Sequence, residues 1–192
     1  RDILTEDQYE KFWRYLQNNY ITRKHNPTVT DSELERRKIW KEFILILSNV
    51  GFRPKELLGI RMGEITNNPN GDEESRETDV LMKVRKENSK TGRSRVCVSP
   101  VKKRIERVLN SYKKLGITHD INDYLFLCPS SSTRNSYTRQ SMYKRLKETL
   151  VSSGLQEELD KESKSITLYS FRHLYSTWRL RYGGVPIHLL SK

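Results

Sequence analysis

The fold of this chain is indicated most strongly by the stretch Ile166-Thr-Leu-Tyr-Ser-Phe-Arg-His-Leu-Tyr-Ser-Thr-Trp-Arg-Leu180. Thr167 or Ser170 can cap a helix here, and the apolar side chains that follow recur at helical spacing. This pattern predicts a helix with Arg172 in its first turn, beside backbone N–H groups that have no partner within the helix. A guanidinium at a positive helix end suits an oxyanion, although a lone arginine of this kind is more often a surface or salt-bridge residue.

Two blocks further upstream place basic residues in comparable settings. In Asn49-Val-Gly-Phe-Arg-Pro-Lys-Glu-Leu-Leu-Gly-Ile-Arg61, Arg53 precedes a proline that suits the first position of a short helix carrying Glu56. In Asn88-Ser-Lys-Thr-Gly-Arg-Ser-Arg-Val-Cys-Val98, Lys90 lies at the tip of a turn that leads into a strand. Two arginines offer fixed, planar donors to the non-bridging oxygens of a phosphodiester, and we expect Arg53, Lys90 and Arg172 to converge on one basic concavity.

The three blocks occur in a fixed order: G-x-R-x-x-E-L-L, then K-T-G-x-S-R, then Tyr-x-x-Arg-His before a helix. In this order they resemble the catalytic domain of the tyrosine recombinases, the phage-integrase family. The resemblance spans about the whole chain and implies one integrase-type catalytic domain over residues 1–192, mainly α with a small antiparallel β-sheet (α+β). It implies an enzyme that breaks and rejoins DNA through a 3′-phosphotyrosyl intermediate, with no cofactor, metal or ATP.

The resemblance assigns roles to the residues that match. Arg53 and Arg172 hold the phosphate, and Lys90, with Lys86 as the competing position, protonates the departing 5′ oxygen. Tyr169 stands where the family usually has a histidine, and a tyrosine can donate a hydrogen bond but cannot serve as a base near neutral pH without a large pKa shift. The supporting residues implied are Glu56 and His173.

The resemblance also indicates what a longer parent protein contains. The family continues past the position of Lys192 into a glycine-rich turn and then the tyrosine nucleophile, so we expect the nucleophile beyond Lys192 and this chain alone to be inactive. We likewise expect the family's N-terminal DNA-clamping domain to be missing here. The helix predicted over 138–150 corresponds to one that lies against DNA in the family, and the DNA-binding residues implied are Arg139, Lys144 and Arg145.

Composition agrees with a polyanionic partner. The 192 residues include 36 Lys+Arg and 24 Asp+Glu, giving a net charge of +12, which favours nucleic acid and, with the resemblance, double-stranded DNA on which copies self-associate. No run of about 18 apolar residues and no signal-peptide pattern is present, so we expect no membrane partner. Cys97 and Cys128 lie in apolar runs and are predicted to be buried free thiols in a reducing compartment. We therefore expect a cytoplasmic protein that is nucleoid-associated when bound to DNA.

One alternative function stays open. The four histidines are scattered, and the acidic runs lack the ligand spacing of metal-dependent phosphoryl transfer, so the sequence predicts no metal site. A chain that retains a phosphate-binding arginine pair can still be a non-catalytic nucleic-acid-binding module. Reading past Lys192 in the parent frame distinguishes the two, because an enzyme needs the nucleophile tyrosine there.

Periodicity and turn residues predict the remaining elements. A Thr5–Gln8 capping box predicts a first helix to about residue 19, and Asp31-Ser32 is predicted to cap a second helix ending near Gly51. Further helices are expected over 100–115 and 138–150. A short helix is expected to begin at Pro54, the helix that carries Arg172 is expected to end at 183–184, and a last helix is expected to begin at Pro186. Strands are expected over 80–85, 96–98 and 124–128, and irregular segments over 20–30, 67–75 and 156–164.

Overall fold

A computed structural model of the chain describes residues 2–70 and 72–183. Its secondary structure is mainly helical with a small sheet, which confirms the predicted α+β class. The helices are α1 (Glu6–Tyr15), α2 (Asp31–Val50), α3 (Pro54–Leu58), α4 (Glu73–Thr78), α5 (Lys102–Lys114), α6 (Arg139–Ser152), α7 (Leu155–Lys161) and α8 (Leu168–Arg181). The strands are β1 (Ile65–Asn67), β2 (Val80–Val84) and β3 (Arg95–Ser99).

The sheet is antiparallel throughout, with the strands in the order β1-β2-β3. Val84 pairs with Arg95, and Met82 pairs with Cys97. Residues directly opposite each other share a face, so Arg95 lies on the same face as the buried side chains of β2. The predicted β2–β3 hairpin is confirmed, and its register points Arg95 inwards. The third strand, β1, was not predicted because it has only three residues and no apolar alternation.

Helix α2 forms the centre of the core and packs against α5 and α8. Apolar residues occur on nearly all of its sides, which is the pattern of a buried helix. Its indole Trp40 Nε1 donates to the backbone oxygen of Met142, 3.3 Å away, and so joins α2 to α6. Within the described part of the chain no helix combines the length and apolarity needed to cross a bilayer.

The helix ends follow local capping chemistry. Thr5 and Gln8 form the predicted capping box, in which Thr5 Oγ1 accepts from Gln8 N–H at 3.2 Å and Gln8 Oε1 accepts from Thr5 N–H at 3.1 Å. The cap of α2 is Thr30, which accepts from Glu33 N–H at 3.2 Å, so the prediction of Asp31-Ser32 as the cap is wrong by one residue. Gly51 ends α2 at φ +63°, the left-handed conformation that a glycine adopts without strain.

Several segments predicted to be irregular contain structure. A single helical turn lies at Arg23–His25, and 67–75 contains the end of β1 and the start of α4, which Asp72 caps. The segment 156–164 was expected to be irregular, yet most of it belongs to α7. Leu155 and Leu159 are four residues apart on one side of α7 and are fully buried, so apolar packing orders this charged segment.

The strand expected over 124–128 and the full burial expected for Cys97 and Cys128 are not found. Leu125 to Leu127 are buried as predicted, but the segment forms only isolated bridges, from Tyr124 to Arg61 and from Leu127 to Ser136. Cys97 and Cys128 are free thiols but half-buried rather than buried. The last helix, predicted from Pro186, lies outside the described residues.

Candidate phosphate-binding site

The site is built on the carboxylate of Glu56, which is fully buried in α3. Pro54 occupies the first helical position, as predicted, and Arg53 is the residue before the helix. Glu56 Oε2 accepts from Arg53 N–H at 2.7 Å, and Glu56 Oε1 accepts from Arg53 Nη1 at 2.8 Å. The local order Arg-Pro-x-Glu therefore folds Arg53 back on to the start of its own helix and fixes its guanidinium.

Arg172 approaches the same carboxylate from α8. This helix begins at Leu168, and Ser170 Oγ accepts from Thr167 N–H at 3.1 Å. Arg172 is thus the fifth helical residue, and the expectation that it lies in the first turn is wrong. Its Nη1 donates to the backbone oxygen of Gly51 and lies 3.8 Å from Glu56 Oε2. Its place at the site comes from the packing of α8 on α2 rather than from a helix N-terminus.

A third arginine, Arg95, binds Glu56 from the sheet. Arg95 Nη1 donates to Oε1 at 3.1 Å and Nη2 donates to Oε2 at 2.8 Å, while the guanidinium carbon lies 5.6 Å from the centre of the Phe52 ring. Sequence reasoning gave Arg95 no role. Its alternation with exposed valines in β3 is the signal that was available, because an arginine on the buried face of a strand needs a carboxylate partner.

The electrostatics of this cluster leave it positive. Burial raises the pKa of Glu56, but the hydrogen bonds from Arg95 and Arg53 outweigh burial and bring this pKa below its ordinary value. Burial, and then the charge of Arg53, lower the pKa of Arg172, but an arginine remains protonated in proteins. Three guanidinium groups and one carboxylate carry an excess of two positive charges. Such a cluster attracts an anion.

An open depression of about 540 Å³ lies over this cluster. The structure brings five of the predicted site residues to its lining: Arg53, Lys90, Tyr169, Arg172 and His173. Asp2, which sequence reasoning missed, also lines it, and its Oδ2 accepts from Ser165 N–H at 2.8 Å. Lys86, the competitor of Lys90, lies instead in a single turn directly after β2.

No protein-family model and no curated protein sequence matches the chain. Solved structures do match it. The XerH site-specific recombinase bound to difH substrate, in a pre-cleavage complex, is similar over 99% of this chain and 49% of its own, with a TM-score of 0.63 and 14% identity. The Tn1549 transposon integrase in complex with circular intermediate DNA is similar over 99% of this chain and 55% of its own, with a TM-score of 0.53 and 20% identity.

The fold is that of a tyrosine recombinase catalytic domain. At these identities the likeness concerns the fold, and the chain spans about half the length of the recombinases that it matches. Within the recombinase fold, the β2–β3 hairpin loop, the residue that precedes α3 and helix α8 each contribute a basic side chain to the depression: Lys90, Arg53 and Arg172.

The three residues predicted to bind DNA lie on α6 of this recombinase fold, in different surroundings. Arg139 and Lys144 are exposed, and Arg139 lines a second groove together with Lys55 and Asn88. Arg145 is half-buried and donates to both carboxylate oxygens of Glu33, at 2.8 and 3.2 Å. Burial lowers the pKa of Arg145, but the bonds to Glu33 raise it above its usual value.

Arg145 therefore joins α6 to the start of α2, and the DNA contacts of all three residues stay predictions. In residues 2–70 and 72–183, no group of three or more His, Cys, Asp or Glu side chains is placed to hold a metal ion.

Proposed function

We propose that this chain is the DNA-binding catalytic domain of a site-specific tyrosine recombinase. The observation that carries the proposal is the placement of Arg53 and Arg172 beside one buried carboxylate, at a depression that Lys90 also lines. Two guanidinium groups fixed at one depression match the needs of one phosphodiester, whose non-bridging oxygens accept paired hydrogen bonds. The proposed partner is double-stranded DNA, on which copies of the protein associate, in the cytoplasm and at the nucleoid.

In the proposed reaction a tyrosine hydroxyl attacks the phosphorus of the diester and loses its proton to solvent. The bond from the tyrosine oxygen to the 3′-phosphate forms as the bond to the 5′ oxygen breaks, and Lys90 gives its proton to that leaving oxygen. Arg53 and Arg172 stabilise the negative charge that grows on the non-bridging oxygens. Because one phosphoester bond replaces another, the strand can be rejoined by the reverse steps without an energy source.

The nucleophile in this proposal is a tyrosine beyond Lys192 in a parent protein that also carries the DNA-clamping domain. Tyr169 lines the depression, but the resemblance places it at the position of the family's usual histidine. We propose that Tyr169 donates a hydrogen bond to the phosphate and that His173 supports the site from the same helix. The role proposed for Glu56 is to hold the arginine side chains in place from below the depression.

A nicked suicide substrate tests the proposed function. The parent protein, extended past Lys192, is expected to form a DNA adduct that survives denaturant, because loss of the short cleaved strand prevents rejoining. Arg172→Ala is expected to abolish the adduct while leaving the chain folded. If the extended protein binds the duplex but forms no adduct, the non-catalytic nucleic-acid-binding module is the correct function instead.

A further inference from the structure

The hydrogen-bonding capacity of the Glu56 carboxylate is fully used. Its Oε1 accepts from Arg53 Nη1 and Arg95 Nη1, and its Oε2 accepts from Arg53 N–H and Arg95 Nη2. A carboxylate offers about four lone-pair sites, so four donors saturate it. Arg172 Nη1 is left 3.8 Å from Oε2, beyond hydrogen-bond distance. Two of the four donors that occupy the carboxylate, and so exclude Arg172 from it, belong to Arg95.

The guanidinium of Arg95 is held rigidly in its place. It lies over the ring of Phe52, which is 1% exposed, and binds the carboxylate with two parallel bonds. Arg95 lies on the inward face of β3, and it is not among the described side chains that line the depression. Arg95 therefore touches the carboxylate from behind, while Arg53 and Arg172 lie at the depression in front of it.

Loss of Arg95 would open two acceptor sites on a buried carboxylate. A buried charge without its partners is costly, and the nearest cation able to take the place of Arg95 is Arg172. Arg172 would turn towards Glu56 to form those bonds, and its guanidinium would then be directed away from a phosphate in the depression. Lysine at position 95 keeps the charge but cannot form both parallel bonds.

We infer that Arg95 is a positioning residue, which saturates Glu56 and thereby keeps the Arg172 guanidinium available to a phosphate of DNA. The inference rests on the proposed function for its ligand and extends it to a residue outside the depression. Arg95 also ties β3 to α3, so the hairpin that carries Lys90 and the helix entrance that carries Arg53 are held by one carboxylate.

The test compares two charge-conserving variants of the 192-residue chain. Arg95→Lys is the test variant, and Arg104→Lys is its matched control. Arg104 also pairs with a buried glutamate, Glu42, at 3.3 Å, and its side chain is 26% exposed where that of Arg95 is 27% exposed. Both variants are expected to lower the unfolding temperature by about 2–4 °C, because each loses part of one buried ion pair.

Affinity for a short labelled duplex separates the two variants. Arg95→Lys is expected to bind about tenfold more weakly than the unmodified chain, as when one charge-assisted hydrogen bond to phosphate is lost, whereas Arg104→Lys binds as the unmodified chain does. In an Arg172→Ala background, Arg95→Lys is expected to cause no further loss, because its effect passes through Arg172. Equal losses in both backgrounds would overturn the inference.

A second readout does not depend on DNA. The side-chain ¹⁵N–¹H signal of Arg172, assigned with Arg172→Lys, is expected to shift and to exchange more slowly with water in Arg95→Lys, as Arg172 moves on to the carboxylate. An unchanged Arg172 signal overturns the inference. If the unmodified chain does not bind duplex at low salt, the proposed function fails instead, and the Arg172 signal alone then decides whether Arg95 positions this side chain.

Discussion

Arg172 donates a hydrogen bond to the backbone oxygen of Gly51, although 121 residues separate the two in the chain. Gly51 is the residue that ends α2, and Arg53 follows it by two positions. The contact therefore fixes the separation of the two arginines through the packing of α8 on the end of α2. The geometry of the proposed phosphate site depends on the core of the domain, so core substitutions at this junction should alter it.

Substitution of Gly51 is expected to damage both stability and the site. A Cβ at this position would lie 2.3 Å from Cδ1 of Tyr175, and the φ of +63° is itself unfavourable for other residues. The left-handed conformation alone costs about 1 kcal/mol, and the overlap with Tyr175 adds to this cost. Gly51→Ala should lower the unfolding temperature measured by circular dichroism and weaken duplex binding.

The matched control for this substitution is Gly154→Ala. Gly154 has a φ of +71° and has nothing within 4 Å of an added Cβ. Gly154→Ala is expected to lower the unfolding temperature only by the cost of the left-handed conformation, about 2–4 °C in a domain of this size. Equal unfolding temperatures for the two variants would show that the contact of Gly51 with Tyr175 is not tight.

The ion pair of Asp123 with Arg134 should make stability depend on pH in acid. Hydrogen bonds from Arg134 lower the pKa of Asp123 from 3.8 to about 2. A carboxylate with a lowered pKa in the folded state contributes stability above its unfolded pKa, and this stability is lost as the pH falls through the folded value. The contribution is therefore expected to be complete above pH 3.8 and to disappear towards pH 2.

Asp123→Asn tests this contribution without a large change in shape. Thermal unfolding of the unmodified chain and of the variant, followed across this acid range, should give curves that approach each other as the pH falls. A constant difference between the two curves would mean that the pKa of Asp123 is not lowered in the folded state.

The parts of the fold that sequence reasoning predicted correctly are set by a few contiguous residues. The Thr5–Gln8 capping box, the Pro54 helix start with Glu56 one turn on, and the β2–β3 hairpin each depend on short-range spacing. The error at Arg172 has a local cause as well. Thr167 and Ser170 both suit a cap, and the structure uses Thr167, which moves Arg172 out of the first turn.

The parts that could not be predicted depend on contacts between distant segments. The bond of Arg95 to Glu56 joins residues 39 positions apart, and it exists because the hairpin register turns Arg95 inwards on to α3. Helix α7 forms in a highly charged segment because two leucines reach the core, a tertiary effect that outweighs the charged composition. Neither contact has a signal in the local sequence that fixes its partner.

Binding to duplex DNA is expected to be sensitive to salt and largely insensitive to sequence. Contacts to phosphates release counterions, so the logarithm of the binding constant should fall with the logarithm of salt concentration by about 0.9 for each neutralised phosphate. Arg172→Ala should reduce this slope by about 1. A fluorescence titration with two unrelated duplexes, at several salt concentrations, measures both effects.

Arg14→Ala is the control for the loss of one positive charge. Arg14 is exposed on α1 and pairs with Glu10 at 2.7 Å, so its removal should leave the salt slope unchanged. Binding by the unmodified chain that does not vary with salt would contradict the proposed phosphate contacts.

The 192-residue chain is expected to bind a nicked suicide substrate without forming a covalent adduct. Arginines that stabilise a phosphorane and a lysine that protonates a leaving group lower the barrier only when a nucleophile is aligned with the phosphorus. In the proposed enzyme that nucleophile lies beyond Lys192. Gel electrophoresis in denaturant measures the outcome, with the extended parent protein as the positive control.

An adduct formed by the 192-residue chain itself would show that a tyrosine within it is the nucleophile. Tyr169 would then be the first candidate, because it lines the depression with Arg53 and Arg172. Tyr182, the residue that follows α8, is a weaker candidate. Its hydroxyl donates to Glu6 in α1, and its side chain is largely exposed. Tyr169→Phe should abolish such an adduct and Tyr182→Phe should not, and this result would replace the alignment that assigns Tyr169 to the histidine position.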